Sequence, residues 1–245
     1  MTPLLRAFGF LALIGSIAPA RDESDRHWNG QIQHWGTMGE GLGRGETHAR
    51  VTIREAAASP HTVAVGALEG LAGEITIIDG KVWIAQDASS AVAEDPAAST
   101  RSATLLISAT VPGWRTVTLE TPIKPDNLES TIRTIAATSG IDTSKPFPFV
   151  IEGVVDAEAH VVRGQCVHAA AIGKEKTLPP DRFSITNVRT TLVGFFAEQA
   201  EGTITHHGSR THIHVVVSGD SPRSGHVDSA TVRASAVLRL PKPSE

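Results

Sequence analysis

A sheet-dominated α/β (α+β) protein with two sub-domains is the fold class that the sequence predicts. Short segments rich in Val, Ile and Thr recur along the 245 residues and are separated by Gly, Pro, Ser and Asp, which is typical of strands joined by turns. Clear helical periodicity occurs in one stretch. The run Lys145-Pro146-Phe147-Pro148 cannot continue regular structure. We therefore expect mixed or antiparallel sheets in an N-terminal sub-domain, residues 21–145, and a C-terminal sub-domain, residues 146–245.

The clearest turn lies in the N-terminal half. Residues 74–78 and 81–84 are β-like segments that flank Asp79-Gly80. This dipeptide adopts positive φ easily and therefore suits a two-residue hairpin. The Ala-, Ser- and Asp-rich residues 86–101 predict a surface loop. Other strands of this half are expected at residues 51–53, 62–65, 104–109 and 116–119.

One helix is predicted after residue 125. Asp126 or Asn127 can cap its start, and Gly140 ends it. Its apolar face recurs at helical spacing and consists of Leu128, Ile132 and Ile135. Beyond the two prolines, strands are expected at residues 149–155, 160–162, 190–195, 212–217 and 232–240.

The bulk composition narrows the classes of function. The net charge is −4 and the basic residues form no run, so we expect no nucleic-acid partner. Cys166 is the single cysteine, which leaves no intramolecular disulfide and no Cys-rich metal motif. The chain contains no Tyr. A metal site or a proton carrier must therefore use His, carboxylates, Lys or Arg.

The first twenty residues have the pattern of a secretory signal peptide. Arg6 supplies positive charge, residues 7–17 are apolar, and Ala18-Pro19-Ala20 has the small-residue form of a cleavage site. The apolar run falls well below the roughly 20 residues that span a bilayer, which disfavours a membrane anchor. We expect cleavage after Ala20, export to the periplasm or the exterior of a bacterium, and no membrane association afterwards.

Three histidines form a candidate metal site. Residues 211–217 are strand-like, and alternation along a strand places His212 and His214 on one face. His226 follows Gly225 on the expected neighbouring antiparallel strand. Three neutral imidazoles with one open position are the ligand pattern of catalytic zinc. A chance His-x-His pair is the alternative, because the chain has 11 histidines. His206-His207 has the character of a solvated loop pair.

The order of several segments resembles the α-acetolactate decarboxylase family. In the C-terminal half, residues 190–195, His212-Ile213-His214 and residues 224–227 follow the family in order and approximate spacing. In the N-terminal half, residues 65–75 resemble the family's Gly-x-Gly-Thr-Phe-x-x-Leu-Asp-Gly-Glu segment and precede a similar Ile-Asp-Gly turn. Looser matches at residues 33–38 and 147–153 extend the resemblance over most of residues 21–245.

The resemblance implies a zinc-dependent carbon–carbon lyase that converts acetolactate to acetoin and carbon dioxide. Its zinc ligands would be His212, His214 and His226. Glu74 falls on the family's active-site glutamate and is the candidate proton carrier. The usual Arg-Ser-Val-Pro stretch is replaced by residues 159–164. The arginine position of the family falls on Arg163 when counted back from the histidines and near His160 when counted forward.

The implied chemistry gives these groups a common purpose. Decarboxylation of a 2-hydroxy-3-keto acid builds negative charge on the ketone oxygen, which zinc would stabilise as a Lewis acid. A guanidinium would hold the substrate carboxylate, and a carboxyl group would protonate the remaining carbon. We expect such a small acid as the ligand, with a homodimer as one assembly to test.

Two departures from the family support a second interpretation. Ala67 stands where the family usually has Thr. The chain ends at Glu245, whereas typical members continue with a tail that brings another glutamate to the metal, so we expect a pocket more open to water. The alternative is a non-catalytic or differently specific metal-binding domain that retains the decarboxylase fold.

A third interpretation comes from plant and prokaryotic DNA-binding domains with a similar His pattern, and the acidic charge and signal peptide disfavour it.

Overall fold

The structure is a computed structural model that describes residues 26–164 and 179–243. In these residues, thirteen strands form two antiparallel sheets. The first sheet contains β1 (Gln33–Trp35), β2 (Val51–Thr52), β3 (Thr62–Leu68), β4 (Glu74–Ile78), β5 (Lys81–Ala85), β6 (Val92–Glu94) and β7 (Ser102–Thr110). The second contains β8 (Trp114–Leu119), β9 (Phe147–Val161), β10 (Asp181–Phe196), β11 (Thr211–Val217), β12 (Arg223–Val232) and β13 (Ala236–Pro241). The predicted sheet-dominated α+β fold is confirmed.

Helical structure is limited in the described residues. The α-helices are α1 (Ile53–Ala56) and α2 (Pro125–Thr138). The described residues also form a π-helical turn at Gly39–Gly43 and a 3-10 turn at Glu69–Leu71. No helix in residues 26–164 and 179–243 is long and apolar enough to cross a membrane.

The first sheet has the strand order β1-β7-β3-β4-β5-β6, and β2 also pairs with β7. Its central hairpin joins β4 to β5 through Asp79 and Gly80, which have φ of 47° and 75°. Positive φ at both turn residues matches the twist of the flanking strands. The predicted hairpin is confirmed.

The second sheet closes partly on itself. Its strand order is β10-β11-β12-β9-β13-β8, and β10 pairs in addition with β9. β9 is long enough to pair with β10 along one edge and with β12 and then β13 along the other. Strands β9 to β12 therefore form a closed ring.

Two apolar cores fix how the sheets face each other. The larger core lies between the sheets and contains Phe149 and Phe195, both fully buried. On β4, Ile75 and Ile77 pack into the smaller core on the other side of the first sheet. Because side chains alternate along a strand, Glu74 and residue 76 on β4 point toward the second sheet.

Helix α2 confirms the predicted helix, but not its cap. The helix begins at Pro125, one residue before the predicted cap at Asp126 or Asn127. Proline suits the first helical position because it has no N–H that needs a partner. Of the predicted apolar face, Leu128 and Ile132 are buried.

Several predicted strands have different bounds in the structure. The segments predicted at 149–155 and 160–162 are one strand, β9. The strand predicted at 232–240 is divided into β12 and β13 near Ser235, where φ of 65° interrupts the extended backbone. Residues 86–101 were predicted as a loop and include the short strand β6, which pairs with β5.

The sub-domain boundary near residue 145 stays a prediction. Strand β8 precedes this point but pairs with β13 in the second sheet, and α2 packs against β12. The predicted signal peptide with its cleavage site, Cys166 and Glu245 lie outside the described residues.

Candidate metal centre and active site

Four imidazoles gather on neighbouring strands of the second sheet. His214 on β11 lies opposite His226 on β12, and His226 lies opposite His160 on β9. His212 is two residues from His214 and shares its face of β11. A Cβ at Gly225 would lie 2.6 Å from the His160 carbonyl oxygen, so this glycine permits the close approach of β12 to β9. The predicted antiparallel pairing of the two histidine-bearing segments is confirmed.

Three of these imidazoles can hold a metal ion. One ring nitrogen from each of His212, His214 and His226 lies within 4.8 Å of the other two. His212 Nδ1 and His214 Nε2 are buried and have no hydrogen-bond partner among residues 26–164 and 179–243. Leaving such an atom unsatisfied costs about 1 to 3 kcal/mol, and coordination would satisfy both nitrogens. The residues therefore fit a metal ion.

The same three imidazoles are favoured in the neutral form. Burial lowers the pKa of His212, His214 and His226 well below the usual value, and the neighbouring imidazoles lower each pKa further. A metal binds the neutral imidazole, because the coordinating nitrogen must carry a free lone pair. The cluster can therefore bind an ion at neutral pH without first losing protons.

Glu74 places a buried carboxyl group beside the cluster. Its Oε2 lies 3.6 Å from His214 Nε2, and its Oε1 accepts a hydrogen bond of 3.1 Å from the Val162 N–H. Burial raises the pKa of Glu74 to about 7, although the charge of His160 and the Val162 hydrogen bond act in the opposite direction. The group can therefore both hold and release a proton near neutral pH.

Glu74 is expected to make the stability of the metal-free protein depend on pH. Its raised pKa means that the folded state favours the protonated carboxyl, so the stabilisation is complete below pH 4.5 and is lost as the pH rises through about 7. Glu74→Gln removes this dependence. Between pH 5 and 8 the parent should lose about 2.5 kcal/mol more unfolding free energy than the variant, as measured by urea denaturation. Parallel pH profiles for the two proteins would contradict the assigned pKa.

Two buried hydroxyl groups lie on the Nδ1 side of the His214 ring. Thr76 Oγ1 on β4 lies 2.9 Å from His214 Nδ1, and it lies 2.9 Å from Ser224 Oγ on β12. All three side chains are at most 1% exposed. These two contacts join the first sheet to the second at the cluster of three histidines.

His160 is held by a carboxylate at the edge of the cluster. Its Nδ1 lies 2.8 Å from Asp228 Oδ1, and its ring centroid lies 4.9 Å from that of His226. Asp228 also accepts a short hydrogen bond from Arg182. Burial alone would raise the pKa of Asp228, but the hydrogen bond with His160 and the nearby positive charges lower it.

His206 belongs to the site, so its interpretation as a solvated loop residue is wrong. Its ring centroid lies 4.8 Å from that of His226 and 6.0 Å from that of His212. Burial lowers the pKa of His206. His207 is exposed, as expected for a loop residue. His206 and His207 are adjacent residues of the same type, so the sequence does not distinguish them. They differ in burial because of the path of the segment between β10 and β11.

Two cavities meet at the imidazoles. An inner cavity of about 60 Å³ is lined by Glu74, His212 and apolar side chains. An outer cleft of about 510 Å³ lies between the start of α2 and the second sheet. His160, His206 and His226 line both and therefore form the boundary between them.

His160 and Arg163, the two candidates for the family's arginine position, have different surroundings in the structure. His160 lines the inner cavity, whereas Arg163 is exposed and lines neither cavity. Hydrogen bonds from Ser89 lower the pKa of Asp87, and the charge of Arg163 contributes to the same shift. Ala67, where the family usually has Thr, lines the inner cavity as well. The catalytic roles of His160 and Arg163 stay predictions.

Comparison with known families identifies the class. The model of the alpha-acetolactate decarboxylase family matches residues 38–240. The chain therefore belongs to the alpha-acetolactate decarboxylase family, which is a family of carboxy-lyases. A search of curated protein sequences found no match.

Solved structures of this family share the fold. Alpha-acetolactate decarboxylase from Bacillus subtilis strain 168 is 18% identical with a TM-score of 0.67, and 86% of each chain is covered. The acetolactate decarboxylase from Bacillus subtilis subspecies spizizenii is 20% identical with a TM-score of 0.66, also over 86% of each chain. A Staphylococcus aureus protein of unknown function similar to alpha-acetolactate decarboxylase is 16% identical with a TM-score of 0.65. It aligns over 85% of this chain and 84% of its own.

Proposed function

We propose that this chain is an exported, zinc-dependent acetolactate decarboxylase that converts 2-acetolactate to acetoin and carbon dioxide. The observation that carries the proposal is the cluster of three neutral imidazoles beside one protonatable buried carboxyl group, of which His212, His226 and Glu74 line a small cavity. Family membership supports a carboxy-lyase, and the cavity volume of about 60 Å³ favours a small substrate.

Zinc is the metal that we propose for the cluster. Three imidazole donors with an open fourth position are the ligand set of catalytic zinc sites. His212, His214 and His226 would hold the ion. When bound, zinc would supply Lewis-acid stabilisation of the negative charge that develops on the substrate during decarboxylation.

The protein side chains supply the remaining steps. Glu74 holds a proton at a carboxyl oxygen beside the cluster and can deliver it to the carbon that has lost carbon dioxide. His160, which Asp228 contacts through Nδ1, is the residue that we assign to the substrate carboxylate. The inner cavity has apolar walls that include Leu71 and Leu105, and such walls strengthen polar interactions by lowering the local dielectric constant.

A differently specific member of the family is the second candidate. No Lys or Arg is among the described residues that line the inner cavity, and Ala67 leaves no hydroxyl at the family's Thr position. An anionic substrate therefore meets no guanidinium of the described residues in the inner cavity. A neutral hydroxyketone would fit the same metal cluster without one.

Substrate comparison tests the proposal and distinguishes the two candidates. Residues 21–245 loaded with zinc are incubated with acetolactate, and carbon dioxide and acetoin are measured. Release of both in equal amounts is expected. If acetolactate is not turned over but a neutral hydroxyketone binds to the zinc-loaded protein, the second candidate is correct and the first is rejected.

Export is part of the proposal because residues 1–20 have the signal-peptide pattern. Expression of the full chain in a bacterium should place the mature protein outside the cytoplasm with Arg21 as its first residue. N-terminal sequencing of the fractionated protein checks this. A cytoplasmic protein that keeps Met1 would contradict it.

A further inference from the structure

We propose that Thr76 and Ser224 are positioning residues for the metal centre, and that their hydroxyl groups hold His214 with Nε2 free to coordinate the ion. The inference rests on the metal-binding part of the proposed function and deepens it. It does not depend on which substrate the protein uses.

The geometry allows one direction for the hydrogen bonds when the metal is bound. A neutral imidazole carries one proton, so coordination through Nε2 requires the proton to lie on Nδ1. Thr76 Oγ1, at 2.9 Å, is then the acceptor for the His214 Nδ1–H. The Thr76 hydroxyl proton is free to be donated to Ser224 Oγ, also at 2.9 Å. The two hydroxyl groups therefore satisfy the side of His214 that faces away from the metal.

Glu74 creates the need for this arrangement. Its Oε2 lies 3.6 Å from His214 Nε2, on the side of the ring where the metal would bind. In its ionised form, Glu74 favours the opposite tautomer, in which Nε2 carries the proton and cannot coordinate. The acceptor at Thr76 offsets this preference because it stabilises the proton on Nδ1. Outer partners of metal-binding histidines commonly act in this way.

The contact also couples the metal centre to the packing of the two sheets. Thr76 belongs to β4 of the first sheet, whereas His214 and Ser224 belong to β11 and β12 of the second. All three side chains are buried, so solvent does not substitute for a missing partner easily. Removal of the Thr76 hydroxyl therefore leaves His214 Nδ1 without its partner.

Zinc affinity without substrate is the measurement that tests this inference. Metal-free parent and variants compete with a chromophoric chelator for Zn²⁺. Thr76→Val keeps the side-chain shape and removes the hydroxyl, so the zinc Kd is expected to rise about 10- to 100-fold. Thr76→Ser keeps the hydroxyl and is expected to restore most of the affinity. Ser224→Ala removes only the acceptor of Thr76 and is expected to cause a smaller loss.

Thr190→Val is the matched control. Thr190 is a buried threonine on β10 whose Oγ1 has no hydrogen-bond partner in the described residues. Its replacement makes the same change of shape away from the metal centre. The zinc Kd of Thr190→Val is expected to equal that of the parent.

The outcomes separate this inference from the proposed function. It is overturned if folded Thr76→Val binds zinc as tightly as the parent, or if Thr76→Ser is as weak as Thr76→Val. If Thr76→Val does not fold, Ser224→Ala decides, and an unchanged Kd there rejects the hydroxyl chain. A parent that binds zinc but releases no acetoin rejects the proposed activity alone, whereas a parent that binds no zinc rejects both.

Discussion

Replacement of Glu74 by glutamine is expected to reduce the turnover of acetolactate by about 10²- to 10⁴-fold, the usual range for loss of a general acid or base. The change keeps the shape of the side chain and the acceptor for the Val162 N–H, which Glu74 Oε1 binds at 3.1 Å. It removes the carboxyl proton beside His214. The kcat of the zinc-loaded variant measures the effect.

The zinc content should stay near that of the parent, because Glu74 is not one of the three clustered imidazoles. Glu158→Gln is the matched control. Glu158 is an exposed carboxylate of β9 that accepts a hydrogen bond from Ser184. We expect the control to keep full activity. A Glu74→Gln variant that retains the parental kcat would show that another group carries the proton.

Removal of one clustered histidine is expected to abolish stoichiometric zinc binding. In His212→Ala or His226→Ala, only two of the three clustered imidazoles remain to hold an ion. The loss of affinity should exceed the roughly 10- to 100-fold effect of removing an outer partner. Metal analysis after dialysis against a weak chelator measures the zinc content per chain.

His207→Ala is the control for these two variants. His207 is exposed and follows His206 directly, so it tests whether loss of any nearby imidazole weakens binding. It should retain about one zinc per chain. Full zinc content in both His212→Ala and His226→Ala would remove the proposed centre, even if the parent binds zinc elsewhere.

The sequence predicted those structural features that depend on residues close together in the chain. The Asp79-Gly80 turn set the β4–β5 hairpin, since both residues adopt positive φ. Strand alternation placed His212 and His214 on one face, and the expected antiparallel pairing placed His226 opposite His214. The metal cluster was therefore predictable from residue types, spacing and one pairing.

The residues around the cluster depend on contacts that no local pattern encodes. Thr76 reaches Ser224 across 148 positions of the sequence, and His160 reaches Asp228 across 68. His206 enters the site because the segment before β11 folds over the cluster. These contacts follow from how the two sheets and the ring of β9 to β12 pack, so the sequence alone could not assign them.

The proposed metal centre would account for a departure from the usual rules of burial. Buried side chains are normally apolar, yet Glu74, His212 and His214 are each at most 3% exposed. Within the part of the chain that the structure describes, two ring nitrogens of the cluster lack hydrogen-bond partners. Natural proteins usually satisfy such atoms, and their proximity within one histidine cluster favours a site whose ligands are arranged for an ion.

Titration of the metal-free protein with zinc, followed by release of acetoin, tests the central claim most directly. The three-histidine centre predicts that metal-free residues 21–245 are inactive, and that the rate of acetoin release rises linearly to about one zinc per chain and then stays constant. His226→Ala should show no such rise. Acetoin release at the full rate by the metal-free protein, or the same titration curve for His226→Ala, would contradict the claim that His212, His214 and His226 hold the catalytic metal.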